Sequence, residues 1–389
     1  MIRNPFGILA ILIFLEGAVL FFSGHPKTKK FFHFPPSMFW IYFLPMIFSS
    51  LNVIPQESPL YPKIGTWVLP ASLILLLIAA DLKAILKLGK PALGMMLAGT
   101  LGIVVGAPIV LLIFKPWLSP GSWSGFAALS ASWMGGSANM IAVREALGTP
   151  DNVFLPLVVV DTLVAYSWMG FLILLAGFQP AYDRWNRSQV SVIEELRKKV
   201  APAAASTIGK MRFEFTLLIL AIGVSGSWIA AGGAGVLNDL TGLPRNTGMV
   251  LMASTLGVVL SFTPVKRLEA YGASKAGYVL LYFVLTSIGA RASLGAIVSA
   301  PLLVVAGFVW ILIHAIFLAI AGRLTRTPLC LLATASQANI GGPASAPVVA
   351  AIYEPSLAPV GLLLGVFGNV IGTYCGLLCS VLCKGTTFI

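Results

Sequence analysis

The chain has 389 residues, 58% of them hydrophobic and 10% charged, where a soluble domain carries roughly 25% charged residues. With 39 Gly and 25 Pro scattered among long apolar runs, this composition describes a polytopic membrane protein and excludes a soluble enzyme, a disordered chain and a secreted disulfide scaffold. The formal charge of +12 is no nucleic-acid signal: the basic residues fall in short loops between apolar spans, where they set topology and meet anionic lipid head groups.

The opening MIRNPFGILAILIFLEGAVLFFSG has the basic start and apolar core of a cleaved signal. Its apolar stretch is long, contains Glu16 and lacks a small-x-small cleavage pattern, which predicts a retained span. Apolar segments then follow one another at 6–23, 36–54, 65–82, 92–114, 122–148 and 153–177. A polar stretch over 178–212 carries SVIEELRKK, a short mixed-charge helix expected to be a solvated cytoplasmic connector. Six more apolar segments run at 213–235, 247–263, 276–297, 299–322, 327–353 and 357–383. The expected domains are a first membrane repeat (1–177), the linker (178–212) and a second membrane repeat (213–389).

Two sets of six around one linker suggest duplication, and internal matches support it. LLLIAADLKAILKLGKPAL (75–93) aligns without a gap on LTSIGARASLGAIVSAPLL (285–303), and SASWMGGSANMIAV (130–143) answers TASQANIGGPASAPVV (334–349). Both members of the second pair place Ala-Ser before a Gly-Gly doublet and Ala two residues after it. Gly135-Gly136, with Ser137 and Asn139, and Gly341-Gly342, with Pro343, Ser345 and Pro347, combine helix breakers with polar side chains. Unpaired backbone survives at membrane depth only where it lines a cavity or is buried in protein. A helix opened there aims free N–H groups or carbonyls at an entering solute or ion. Small-residue helix packing is the alternative.

Topology depends on whether these segments cross. Twelve full crossings make the repeats parallel, whereas re-entrant Gly-Gly hairpins leave ten crossings and make them inverted. The hairpin arrangement keeps most of the 25 Lys and Arg on one side, so charge bias favours it. The expected fold is an all-α polytopic membrane protein with two inverted repeats of about five transmembrane helices, each holding a broken or re-entrant Gly-Gly segment.

SASWMGGSANMIAVREALG together with TASQANIGGPASAPVVAAIY and APVGLLLGVFGNVIGTYCGLL resembles the membrane family known as domain of unknown function 819, over essentially the whole chain. The resemblance implies a place in the cation–proton antiporter and anion transporter superfamily. Glutamate–sodium and 2-hydroxycarboxylate symporters of that group pair two inverted five-span domains, each with a re-entrant Gly-Gly loop. Their loops typically read GGxG; Ala138 and Ala344 stand at the fourth position here, which bears on solute identity. A secondary transporter is what the likeness implies, without a solute.

Ionisable residues inside apolar segments are costly and need a reason. Asp161, within PLVVVDTLVAYSWMG, is the leading coupling-ion or proton-carrier candidate; a structural carboxylate bonded between helices is the alternative. Arg144, beside Glu145, is read either as a counter-ion gripping an anionic solute or as a snorkelling arginine. Arg291 replaces Asp81 at the equivalent repeat position, but inverted duplication disfavours their pairing. His314 is expected to be a structural hydrogen-bonder, with a proton site as the rival. Ser132, Asn139, Thr334, Ser336, Gln337 and Asn339 offer neutral oxygens around the interruptions, suited to sodium. Cys375, Cys379 and Cys383 form a stripe read as packing residues, with metal or lipid attachment as the alternative; three His do not support a His-rich metal site.

The expected function is an ion-coupled secondary transporter of a small anionic organic solute working by alternating access. Solute-binding candidates are Ser132, Gly135, Gly136, Ser137, Asn139, Arg144, Ser336, Asn339, Gly341, Gly342 and Ser345, and coupling-ion candidates are Asp161, Thr334 and Asn369. An uncoupled channel or uniporter is one rival. A membrane enzyme acting on a lipid-linked substrate is another, disfavoured because HExxH, GxSxG and a nucleotide loop are absent from the sequence. No cofactor is expected beyond Na+ or H+ as coupling ion. The expected partners are a solute and membrane lipid; a homodimer is an admissible assembly, and the expected location is the plasma (inner) membrane.

Overall fold

The computed structural model describes residues 1–33, 37–119, 121–200, 213–291 and 300–386, and every regular element among them is helical. The chain begins with α1 (Pro5–Gly24), α2 (Ser37–Ser50), α3 (Leu60–Ile78), α4 (Leu82–Lys87) and α5 (Gly89–Phe114). The first interrupted pair follows, α6 (Ser122–Gly135) and α7 (Ser137–Leu147), then α8 (Asp151–Leu175). The linker supplies α9 (Gln179–Asn186) and α10 (Ser191–Val200). The second half continues with α11 (Phe213–Thr241), α12 (Arg245–Ser261), α13 (Ala273–Arg291) and α14 (Ala300–Thr325). The second interrupted pair, α15 (Leu329–Ile340) and α16 (Gly342–Tyr353), precedes α17 (Ala358–Gly385).

Eight of these helices (α1, α3, α5, α8, α11, α13, α14 and α17) are long and apolar enough to cross a membrane. Two expected crossings are shorter. At 14 residues, α2 stops where Asn52 turns into the left-handed region (φ 57°), ahead of the Pro55–Pro59 stretch. At 17 residues, α12 ends before Thr263-Pro264, and the following 3-10 turn Pro264–Tyr271 is bent 93° from it. Part of the repeat segment 285–303 falls on residues 292–299, outside the described residues.

The chain forms two compact units, and each takes segments from both sequence halves. The first comprises Met1–Ala79, Glu145–Thr162 and Lys210–Ala300. At its centre α3 packs against α11, α12 and α13, and residues 69–75 are buried without a break, as a helix apolar on all sides requires. The flanking helices come close by presenting glycine: a Cβ at Gly257 would stand 2.8 Å from Leu77 Cβ and 3.1 Å from Ile74 Cα. Arg291 closes this unit's α13 with an ion pair, its Nε 3.2 Å from Asp151 Oδ2.

The second unit comprises Ala80–Arg144, Leu163–Gly209 and Pro301–Ile389. Here α17 is central, packed on α5, α6, α15 and α16. Asp81 belongs to this unit and caps α4, accepting from Ala84 N at 3.2 Å. The linker differs from the solvated connector expected. The spacing of Val192, Ile193 and Leu196 gives α10 one apolar face, and this face packs with Leu88, Leu318 and Leu357. From α9, Asp183 Oδ1 accepts from Leu329 N (3.0 Å), satisfying a free donor at the start of α15. Asn186 Nδ2 donates to Thr327 O at 2.9 Å and Gly322 O at 3.2 Å. Residues 201–212 lie outside the described residues.

Candidate functional site: two broken helices on one glycine face

Both Gly-Gly doublets interrupt a helix. Gly136 has φ 79° and ψ 177°, a conformation open to glycine, and its N–H closes α6 on Ser132 O at 2.6 Å. Helix α7 starts at the next residue, with Asn139 N and Met140 N donating to Gly136 O at 3.0 and 3.3 Å. In the second pair Gly341 N donates to Gln337 O at 2.8 Å, and Gly342 turns the chain at φ 62°. Each interruption therefore ends one helix and opens the N-terminus of another. The first N–H groups of α7 and α16 lie beyond the reach of intrahelical bonds and carry partial positive charge.

One helix seats both interruptions. Along α17, glycines recur at 361, 365, 368, 372 and 376, which puts them on one face. A Cβ at Gly365 would meet the start of α16, 2.5 Å from Pro343 Cα and 2.7 Å from Gly342 C. One at Gly372 would stand 2.8 Å from Gly135 Cα and 2.9 Å from Asn139 Cγ, and one at Gly376 would be 2.6 Å from Ala131 Cβ. Bare backbone at these positions brings α17 into contact with both broken helices. This face was not singled out from the sequence, although its spacing is visible there.

Two asparagines fasten the interruptions with the same set of bonds. Asn139 Nδ2 donates to Gly135 O (2.5 Å) and Asn369 O (3.2 Å), while its Oδ1 accepts from Thr373 Oγ1 (2.5 Å). Asn339 Nδ2 donates to Ala335 O and Met96 O (both 3.1 Å), while its Oδ1 accepts from Thr100 Oγ1 (2.9 Å). In each case the amide reaches the carbonyl four residues back along the chain, across the break for Asn139 and within α15 for Asn339. On the neighbouring helix it bonds a threonine and the carbonyl four residues before that threonine. Both N–H donors of each amide are used inside the protein, so these side chains position the breaks.

A third network lies beside the second interruption. Gly99 O can only accept, so His314 Nδ1 carries the proton of their 2.9 Å bond. His314 Nε2 then accepts from Ser336 Oγ (2.9 Å), whose oxygen accepts in turn from Trp168 Nε1 (2.9 Å). His314 is fully buried, and this neutral tautomer satisfies all the members, as expected of a structural histidine. Thr334, also buried, donates to Cys330 O at 2.6 Å. Cys379 and Cys383 are buried on α17 with their sulfurs 3.7 Å apart.

The remaining candidates divide by unit. Ser132, Gly135, Gly136, Ser137, Asn139, Arg144, Thr334, Ser336, Asn339, Gly341, Gly342, Ser345 and Asn369 all belong to the second unit, whereas Asp161 belongs to the first. Asp161 is 8% exposed and Arg144 only 3%, which removes Arg144 from the class of exposed, snorkelling side chains. Asn369 is half-buried, with Oδ1 3.6 Å from where a Cβ on Gly136 would stand. Gln337 Nε2 donates to Ser345 Oγ at 2.8 Å, bridging α15 to α16.

Helices of this length and apolarity, with two interrupted pairs seated on a glycine-faced helix, define a multi-pass integral membrane protein. The chain belongs to the family described as Protein of unknown function (DUF819), whose profile matches residues 10–385. It is 26% identical over 336 residues to the Uncharacterized membrane protein YjcL of Bacillus subtilis (strain 168), covering 83% of each chain. Among solved structures it is similar to the sodium proton antiporter MjNhaP1 from Methanocaldococcus jannaschii at pH 8, with a TM-score of 0.43, 14% identity and coverage of 99% of this chain and 98% of that one.

Proposed function

We propose that this protein is an ion-coupled secondary transporter of a small anionic organic solute, working by alternating access. The observation that carries the reading is the seating of both Gly-Gly interruptions on the single glycine face of α17. A helix break is costly in lipid unless protein or a lined cavity receives it, and two breaks against the same helix place two sets of unpaired backbone groups in one unit. The N-termini of α7 and α16 suit an anionic solute. Ser137, Ser345 and Asn369 supply neutral polar contacts, and Arg144 supplies positive charge. The coupling ion is sodium or a proton; its candidate ligands are Thr334 and Asn369 in the second unit or, separately, Asp161 in the first. In this reading the halves are inverted repeats, the protein sits in the plasma membrane, and it performs no chemical conversion.

Uptake by proteoliposomes is the test. Accumulation of a carboxylate above its equilibrium level, driven by an imposed sodium or proton gradient, is the expected result. Equilibration indifferent to both gradients would instead indicate a channel or uniporter. Product turnover in detergent, with no compartment, would indicate an enzyme.

A further inference from the structure

Gln337 stands in the last turn of α15 and is 1% exposed. Its Nε2 crosses the interruption to Ser345 Oγ (2.8 Å), while its Oε1 is buried with no hydrogen-bond partner among the described residues. Glycine at 341 makes this placement geometrically feasible, since a Cβ there would overlap both Gln337 Nε2 and Ser345 Oγ. A buried polar atom without a partner is disfavoured strongly enough that native structures rarely retain one without a use.

The surroundings indicate what that atom takes. Because Gly342 turns at φ 62°, the carbonyls of Ala338, Asn339 and Ile340 have no N–H four residues on within α15. They form the negative end of that helix. Turning the amide over would let the Ser345 hydroxyl donate to it and would point the unmatched N–H groups outward. The structure instead has Nε2 donate to Ser345 Oγ, which leaves the oxygen as the unmatched atom. The orientation in the structure leaves an oxygen unmatched on the last turn of the helix that carries those carbonyls, and Ser336, Gln337, Asn339 and Ser345 are neutral at any physiological pH. Neutral oxygens do not hold a proton there, but they coordinate a hard cation.

We infer that the C-terminal end of α15 is a binding site for a hard monovalent cation of sodium's class, with Gln337 Oε1 and the last carbonyls of α15 as ligands. The inference rests on the transporter reading in that the cation would be the coupling ion, and it adds Gln337 to the candidate ligands within the second unit.

The protein reports on this site itself, because Trp168 is hydrogen-bonded to Ser336, the neighbour of Gln337. Purified full-length protein in detergent is titrated with sodium chloride against choline chloride at constant ionic strength. Tryptophan fluorescence and thermal unfolding are both followed. The wild type should show a saturable response to sodium in at least one readout and none to choline. Gln337→Leu should weaken sodium binding by about tenfold or more, the loss of one contact to a charged partner. The near-isosteric Gln337→Glu keeps the oxygen, adds charge, and should bind sodium at least as tightly as the wild type, so the idea stays testable if the leucine variant fails to fold. A wild type indifferent to sodium in both readouts overturns the site, as does a Gln337→Leu variant with unchanged sodium affinity or a Gln337→Glu variant that has lost it. Sodium binding without uptake of any solute would instead overturn the transporter reading and leave the site standing.

Discussion

Gly372→Ala is the sharpest test of the seating of both interruptions on α17. The added methyl would lie 2.8 Å from Gly135 Cα, 2.9 Å from Asn139 Cγ and 3.0 Å from Asn139 Nδ2. The nearest obstacle is backbone, so no side-chain rotation relieves it, and overpacking of this kind costs about 1–3 kcal/mol. Any shift of α17 also disturbs the Asn139 bonds to Thr373 and Asn369 O, each worth about 0.5–1.5 kcal/mol. The combined loss is about 2–4 kcal/mol, since the terms share one displacement and do not add in full. Gly170→Ala in α8 is the control: nothing lies within 4 Å of its added Cβ, and Ala is the better helix former by roughly 0.5–1 kcal/mol. Denaturant titration in detergent should therefore show Gly372→Ala destabilised and Gly170→Ala unchanged or stabilised, with uptake lost only in the former. Equal behaviour of the two variants would refute the close approach of α17 to the first interruption.

Gly342 has φ 62° but open space around its missing Cβ, so conformation rather than room limits it: Gly342→Asn should retain expression and uptake, and Gly342→Val should lose uptake. Asn139→Leu and Thr373→Val remove opposite ends of one short bond; each should cost about 1–3 kcal/mol, and a double-mutant cycle should give a coupling energy of at least roughly 0.5 kcal/mol. The Arg291–Asp151 pair has side chains 36% and 20% exposed, so Arg291→Gln should change stability by less than about 1 kcal/mol, readable in the same denaturant titration.

The interruptions were legible in the sequence because they depend on local chemistry. Gly136 and Gly342 adopt conformations that side chains resist, and polar residues beside them in apolar runs mark the places. The helix α10 was legible in SVIEELRKK, but its packed apolar face was not read there. What held the interruptions was not legible. The glycines of α17 recur at regular spacing, yet such a stripe does not name its partner, and Gly372 meets Gly135 across 237 positions (372 − 135). Asn139 and Asn339 could be recognised as polar groups in an apolar setting, which left open whether they face a solute or the protein. Their bonds to Thr373 and Thr100 decide that, and these come from helices distant in sequence. The clasp of Asp183 and Asn186 on residues 322–329 was hidden likewise. A mixed-charge linker reads as solvated until its partners are known.

The two asparagine fastenings also bear on how far the halves share a design. The doublets are offset by 206 residues (341 − 135), so the repeat position of Asn139 is Ser345 and that of Asn339 is Trp133. The same bonding pattern thus arises at positions that this offset does not relate, on α7 against α17 and on α15 against α5. A shared physical demand accounts for that arrangement, because a carboxamide supplies two donors and an acceptor and can tie two helices at a point where one has lost its backbone bonds. With that demand met by non-equivalent residues, the two interruptions are free to differ in what they leave over. The repeat position of Gln337 is Ala131, which has no side-chain polar atom to offer. Among the described residues the unmatched amide oxygen of Gln337 therefore has no counterpart at that position of the first interruption.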